Sequence, residues 1–270
     1  MTVDEPYTII LAPNPSLMTG PGTNTIIVGG GAEGATVIDP AVDDVAYLDA
    51  IVAEGARRGG IRRILITHGH QDHMDGAAAL RERTGVAIYS YSKQSIPPTD
   101  IEISDGATFP AADDTLRAIY TPGHRNDHLS FLLEKRKTLF AGDIIAGVGT
   151  VVIIPPEGDM QEYIETLQRL QEREIAALVP AHGPTITNVR EKLQEYIEHR
   201  MQREQQILDA LEELPPGVSI PRIVQQVYVD VDPRLHPVAA WSVEAHLIKL
   251  ERAGLVERLN DGWTLTEPTA

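Results

Sequence analysis

The strand-like run Arg63-Ile64-Leu65-Ile66-Thr67 passes without a spacer into His68-Gly69-His70-Gln71-Asp72-His73. No other feature constrains the fold as much. Four metal-ligating side chains within six residues, delivered at the end of a β-rich element, require a sheet whose strand ends open on a polar pocket. Little loop entropy remains to be lost when such side chains converge on an ion. Gly69 is expected to turn the backbone sharply, so that His68 and His70 face one ion while Asp72 and His73 turn to another. Imidazole and carboxylate donors suit Zn²⁺, and Mn²⁺ and Fe²⁺ accept them as well. The chain has no cysteine, which excludes thiolate ligands, disulfides and cysteine nucleophiles.

Three later residues repeat the arrangement singly. His124 closes the turn Thr121-Pro122-Gly123-His124, Asp143 ends the apolar run Leu139-Phe140-Ala141-Gly142, and His182 lies in Pro180-Ala181-His182-Gly183-Pro184. Each alone reads as a turn residue. In this order after the first cluster they read as ligands.

Short β-rich runs at residues 23–28, 35–38, 63–67, 129–133 and 138–141 alternate with helical stretches, which predicts an α/β sandwich. The spacing of Met160, Tyr163, Ile164, Leu167 and Leu170 predicts a helix with one apolar face. A longer helix is expected over 189–214. Pro215-Pro216-Gly217 then marks the clearest boundary, so we expect a catalytic domain over 1–214 and a small domain over 215–270. Helices over 220–229 and 239–253, followed by a hairpin across Asn260-Asp261-Gly262, suggest a winged helix. Val243, Leu247, Leu250 and Leu255 are expected to pack inside it.

The net charge of -16 argues against broad phosphate-driven binding of nucleic acid, and residues 201–270 hold six basic against eleven acidic side chains. A cationic metal centre remains compatible with both. The apolar stretch over 144–154 is broken by Gly147, Gly149 and Thr150 and stops at Pro155-Pro156, too short to cross a bilayer. Met1-Thr2-Val3-Asp4-Glu5-Pro6 carries acids where a leader would carry bases, so we expect a cytoplasmic protein with no membrane association. The sequence carries no signal for an oligomeric state.

The pattern H-x-H-x-D-H followed by a distant His, an Asp and a last His resembles the metallo-β-lactamase superfamily, and all seven positions are filled. The resemblance implies the αββα sandwich of that fold and two divalent metal ions. His68, His70 and His124 would hold one, Asp72, His73 and His182 the other, and Asp143 would bridge them. It implies hydrolysis by a hydroxide between the ions, with Asp72 and Asp143 as catalytic carboxylates and Asp72 orienting the hydroxide or taking its proton.

Asn14-Pro15-Ser16-Leu17-Met18-Thr19-Gly20-Pro21-Gly22-Thr23-Asn24-Thr25, residues 121–133, and Tyr196-Ile197-Glu198-His199-Arg200 with the stretch that follows look like the family named beta-lactamase-like protein two. That family also ends in a winged-helix-like domain. The likeness implies a single-stranded RNA endonuclease. Polyketide-pathway thioesterases resemble it too, so hydrolysis of thioesters or other acyl compounds, lactones and β-lactams included, stands as the alternative. A regulator that senses a ligand or binds nucleic acid without catalysis is the alternative of another class.

Met74-Asp75-Gly76 departs from the small residues common in relatives, so the entrance is expected to be narrower and more acidic. The Asn14–Asn24 loop reads equally as a pocket wall or a plain turn. His128 and Asp39 read equally as support for the ligands or as local packing and capping. His199, His236 and His246 are expected at the surface.

Overall fold

The computed structural model describes residues 5–267, so the first four residues of the acidic N-terminal run lie outside it. The described residues form two compact units, one of 5–121, 127–150 and 173–189, the other of 122–126, 151–172 and 190–267.

The first unit holds two sheets. One runs in sequence order: β1 (Tyr7–Leu11), β2 (Asn24–Gly29), β3 (Ala35–Ile38), β4 (Ile61–Leu65), β5 (Ile88–Ser90) and β6 (Ile101–Glu102). β1, β2 and β3 pair antiparallel, and β3 to β6 pair parallel. Parallel neighbours need crossovers. α1 (Val45–Arg57) joins β3 to β4, and α2 (Gln71–Met74) with α3 (Ala77–Thr84) joins β4 to β5. Asp44 caps α1 by accepting from the Tyr47 N–H at 2.9 Å.

The second sheet has the order β11 (Ala177–Pro180), β10 (Thr138–Gly142), β9 (Leu129–Leu133), β8 (Asp114–Tyr120), β7 (Thr108–Ala111). It is antiparallel except for β10 and β11, which run parallel.

Every residue of β2 is buried, because the strand is covered on both faces. Ile26 and Val28 turn to an inner layer with Leu116, Phe131 and Phe140 of the other sheet. Ile27 turns outward, to Leu48 and Ile51 of α1 and Leu80 of α3. Met74 packs, partly buried, against this outer layer.

Parallel pairing also sets the site. β3 and β4 end side by side, as do β10 and β11. Their C-terminal ends lead to Asp39, to His68–His73, to Asp143 and to His182, where parallel α/β sheets commonly place ligands.

The second unit contains α4 (Met160–Gln171), most of α5 (Val189–Glu213), α6 (Ile220–Val227), α7 (His236–Arg252) and the hairpin β12 (Val256–Leu259) with β13 (Gly262–Leu265). Its core joins Ile207 and Leu211 of α5 to Ile223, Val243, Leu247, Leu250 and Trp263. The boundary expected after residue 214 thus falls inside one apolar core. Gly217 and Val218 donate to the Trp263 carbonyl at 3.1 and 3.0 Å. A Cβ on Gly262 would lie 2.0 Å from the Gly217 carbonyl, so only glycine allows this approach.

Two expectations differ here. Leu255 is half exposed, outside the core it was assigned to. His246 is fully buried, its Nδ1 3.4 Å from Glu204, whose carboxylate also accepts from Lys249 at 2.7 and 2.8 Å. Among the described residues no helix is long and apolar enough to cross a membrane.

Candidate metal centre

Six of the seven expected ligands belong to the first unit. His68, His70 and Asp143 each offer a ligand atom within 4.8 Å of the others, and so do Asp72, His73 and His182 among themselves. His68 Nε2 and His70 Nδ1 lie 2.9 Å apart. Two nitrogens on one tetrahedral Zn²⁺ would stand about 3.3 Å apart, so these rings already converge on a common point.

The backbone bends over residues 67–69, as expected at Gly69; His70 is then extended at φ -78, and the one-turn helix α2 carries Asp72 and His73. Asp72 occupies its first turn and His73 its last.

Asp143 stands between the two groups. Its Oδ1 is 3.5 Å from His73 Nε2 and 3.4 Å from His182 Nε2, while Oδ2 is 3.9 Å from His68 Nε2. His182 Nε2 is also 3.3 Å from Asp72. His73 Nε2 is buried and has no hydrogen-bond partner. An orphaned imidazole nitrogen facing two carboxylates is what a metal ligand presents before an ion is bound. The donor set therefore fits divalent metal.

Hydrogen bonds fix which nitrogens are free to bind. Asp39 accepts from the Thr67 N–H at 2.8 Å and from the Thr67 hydroxyl at 2.7 Å. That hydroxyl has one proton, so toward His68 Nδ1, 3.0 Å away, it acts as acceptor. Asp39 also accepts from His73 Nδ1 at 2.9 Å. Both rings are thereby held as Nδ1–H tautomers with Nε2 turned to the site. Asp39 is thus a support for the ligands. Thr67 has the same role and escaped the sequence reading; its place between strand and ligand was the only signal.

His128 is tied in the same manner. The Asp143 N–H donates to His128 Nε2 at 3.1 Å, so the hydrogen of the neutral ring is on Nδ1, which donates to the Thr121 hydroxyl at 2.8 Å; the Ser130 hydroxyl lies 2.9 Å beyond it. His128 supports Asp143 and offers no nitrogen to metal.

The carboxylates dominate the local field. For Asp143 burial disfavours the charge, yet His73 and His182 outweigh it and hold the carboxyl well below its usual range. Asp72 is lowered in the same way, against its own burial, chiefly by His182. Burial opposes protonation of His182, but Asp143 and Asp72 push it up to about 9, and His73 is raised as well by Asp143 and Asp39. The pocket draws positive charge, whether protons or metal cations.

His124 lies in the segment 122–126 of the second unit, where its Nδ1 donates to the Val152 carbonyl at 2.9 Å. Nε2 is then the nitrogen with a lone pair to give.

Comparison with known proteins decides the family. Residues 18–182 match the Metallo-beta-lactamase superfamily, and residues 219–263 match the Beta-lactamase associated winged helix domain. The chain belongs to the metallo-β-lactamase superfamily. Among relatives of this superfamily member, the Beta-lactamase-like protein 2 homolog of Caenorhabditis elegans is 33% identical over 262 residues, covering 94% of this chain and 87% of the relative. The homolog from Drosophila melanogaster is also 33% identical, with 91% and 87% covered. An Atrochrysone carboxyl ACP thioesterase of Aspergillus fumigatus is 35% identical over 213 residues, covering 76% of this chain and 64% of that protein. A metallo-beta-lactamase family protein from Thermus thermophilus shares the fold, with a TM-score of 0.79 at 19% identity over 96% of this chain and 98% of that one. The mixed α/β metallo-β-lactamase fold with a C-terminal winged helix, expected from the ligand pattern, is thus the observed one. Like the superfamily it belongs to, the chain is a metal-dependent hydrolase.

Proposed function

We propose that this hydrolase is dinuclear, with His68, His70 and His124 holding one divalent ion, Asp72, His73 and His182 the other, and Asp143 bridging the two. The observation that carries this reading is the position of Asp143, whose two oxygens face different histidine groups. His124 enters the first set through the resemblance, and the anchoring of its Nδ1 on Val152 supports Nε2 as its donor.

Zn²⁺ is the first choice for these nitrogen and oxygen donors, with Mn²⁺ or Fe²⁺ next. Two such ions supply Lewis acidity and a water that ionises near neutral pH. The protein's part is to hold and orient. Asp39 and Thr67 keep the rings of His68 and His73 in one tautomer. Asp72 has a side chain 31% exposed against 14% for Asp143, so it is the carboxylate with access to incoming water and substrate. We assign it the orientation of the attacking water or acceptance of its proton.

Single-stranded RNA is the substrate implied by the family resemblance. An acyl thioester is the second reading, favoured by the thioesterase-named relative at 35% identity. Both are tested by assaying Zn²⁺- and Mn²⁺-loaded protein against labelled single-stranded RNA and a panel of acyl thioesters, lactones and β-lactams, with Asp143→Ala as control. Metal-dependent cutting of RNA that the control lacks supports the first. Turnover confined to acyl substrates replaces it with the second. A protein that takes up no Zn²⁺ or Mn²⁺ sinks the dinuclear reading and leaves a non-catalytic regulator.

A further inference from the structure

We propose that Asn24 is a positioning residue for His182, acting through the backbone of the loop that carries it. The inference rests on the reading of His182 as a ligand of the second ion.

The rings of His68 and His73 are held differently from this one. His68 and His73 have Nδ1 engaged by Thr67 and Asp39. His182 Nε2 faces the candidate ligands Asp72 and Asp143, but Nδ1 is buried and has no hydrogen-bond partner, so no side chain outside the candidate ligand set holds the ring from behind. Its orientation then depends on the loop backbone, and Asn24 grips that backbone on both sides of the histidine. The Asn24 N–H donates to the Ala181 carbonyl at 2.7 Å. Its side-chain Nδ2 donates to the Pro180 carbonyl at 3.0 Å and to the Gly183 carbonyl at 2.8 Å. Among the described residues, one further backbone bond holds the histidine itself, from the Gly147 N–H to the His182 carbonyl at 2.8 Å.

Asparagine is specific here. Both protons of its amide are spent on carbonyls that can only accept. Aspartate would set a carboxylate against those two oxygens, and alanine would leave both without their partner in a site where Asn24 is 8% exposed. Its neighbours do related work. Thr23 donates to the Asp72 carbonyl at 2.9 Å, and Thr25 donates to the Asp39 carbonyl. Residues 23–25, at the entry to β2, thus fasten three loops of the site, and Asn24 fastens the one whose histidine has no hydrogen-bond partner at Nδ1.

The test is calorimetric titration of the full chain with Zn²⁺, together with the visible spectrum of the Co²⁺-loaded protein, for the wild type, Asn24→Ala, Asn24→Asp, His182→Ala and Thr8→Val. Thr8→Val removes bonds to Glu54 and Arg58 away from the site and serves as a stability control. We expect Asn24→Ala to weaken the ion lost in His182→Ala by about 10- to 100-fold. The other ion should keep its affinity, and the Co²⁺ bands of the weakened site should shift. Asn24→Asp should do the same or worse, and Thr8→Val should leave both affinities unchanged while lowering the melting temperature. If Asn24→Ala does not fold, Asn24→Ser, which retains the backbone bond, takes its place. Two unchanged affinities and an unchanged Co²⁺ spectrum in the Asn24 variants, with one ion missing in His182→Ala, overturn the role of Asn24 alone. Two ions retained by His182→Ala overturn the reading beneath it.

Discussion

Asp39 Oδ2 accepts from His73 Nδ1 at 2.9 Å, while Oδ1 of the same carboxylate accepts from the Thr67 N–H at 2.8 Å. One buried side chain therefore couples the end of β4 to a ring of the second ligand group. Asp39 adopts this pose with φ 53, a left-handed conformation that Asn tolerates well among non-glycine residues. Asp39→Asn should fold, but either setting of the amide turns an NH₂ toward a donor from which it cannot accept. We expect a stability loss of about 1–3 kcal/mol and metal affinity weakened about 10- to 100-fold. Denaturant unfolding and chelator competition measure the two effects.

Gly142 has φ 55, and a Cβ there would stand 2.5 Å from His128 Nε2. Gly142→Ala thus meets both backbone strain and a buried ring that has no room to move. A cost of about 1–3 kcal/mol is expected from the conformation alone. Asp143 follows directly in the chain, so hydrolysis should fall further than stability does. A variant with unchanged kcat and melting temperature would contradict this. His128→Asn, which can reach Thr121 but not the Asp143 N–H, should show the loss in activity with a smaller loss in stability.

Removal of metal by a chelator should abolish hydrolysis, and added Zn²⁺ or Mn²⁺ should restore it. Asp143→Ala should not be rescued, because it deletes the carboxylate facing both histidine groups. Metal content by mass spectrometry, compared with the wild type, should show fewer ions per chain.

Glu54 provides a pH prediction away from the centre. Burial raises its pKa, but hydrogen bonds from Arg58, Thr8 and Arg57 outweigh that and hold it below the ordinary value. Arg58 is fully buried and also donates to the Gly29 carbonyl at 2.9 Å, so the pair links α1 to β2. A folded pKa below the unfolded one means stabilisation that is complete above the unfolded pKa and is lost as pH falls through the folded one. The stability gap between wild type and Glu54→Gln should therefore be widest near neutral pH and close on acidification. Unfolding midpoints from pH 7 down to pH 3 will show it, and a constant gap would refute the assignment.

The candidate ligands were readable in the sequence because each follows within six residues of an apolar β-rich run, and a strand end delivers its next residues in a direction that local pattern predicts. Their supports were not. Asp39 follows β3 and His73 follows β4, and nothing local says that these strands lie side by side in parallel. His246 looked like a surface histidine because α7 was read by itself, without α5, which brings Glu204 against it. The packing of Met74 against the outer layer was not readable either, because its neighbours on α1 and α3 are set by the layer and not by the residues next to it. Gly69 suggested a sharp turn and lies in a bend, but the helical turn of α2 that follows it was not read from the sequence.

From sequence alone came the donor chemistry, the order of the seven candidate ligands, the family and the winged-helix tail, since all of these follow from residue type and short-range spacing. Tertiary structure alone decided the tautomers of His68 and His73, the place of Asp143 between two histidine groups, and the bonds by which Asn24 holds the loop of His182. Those depend on hydrogen bonds between residues up to 159 positions apart, which exist only once strand pairing and register have brought the ends of β2, β3, β4, β10 and β11 together.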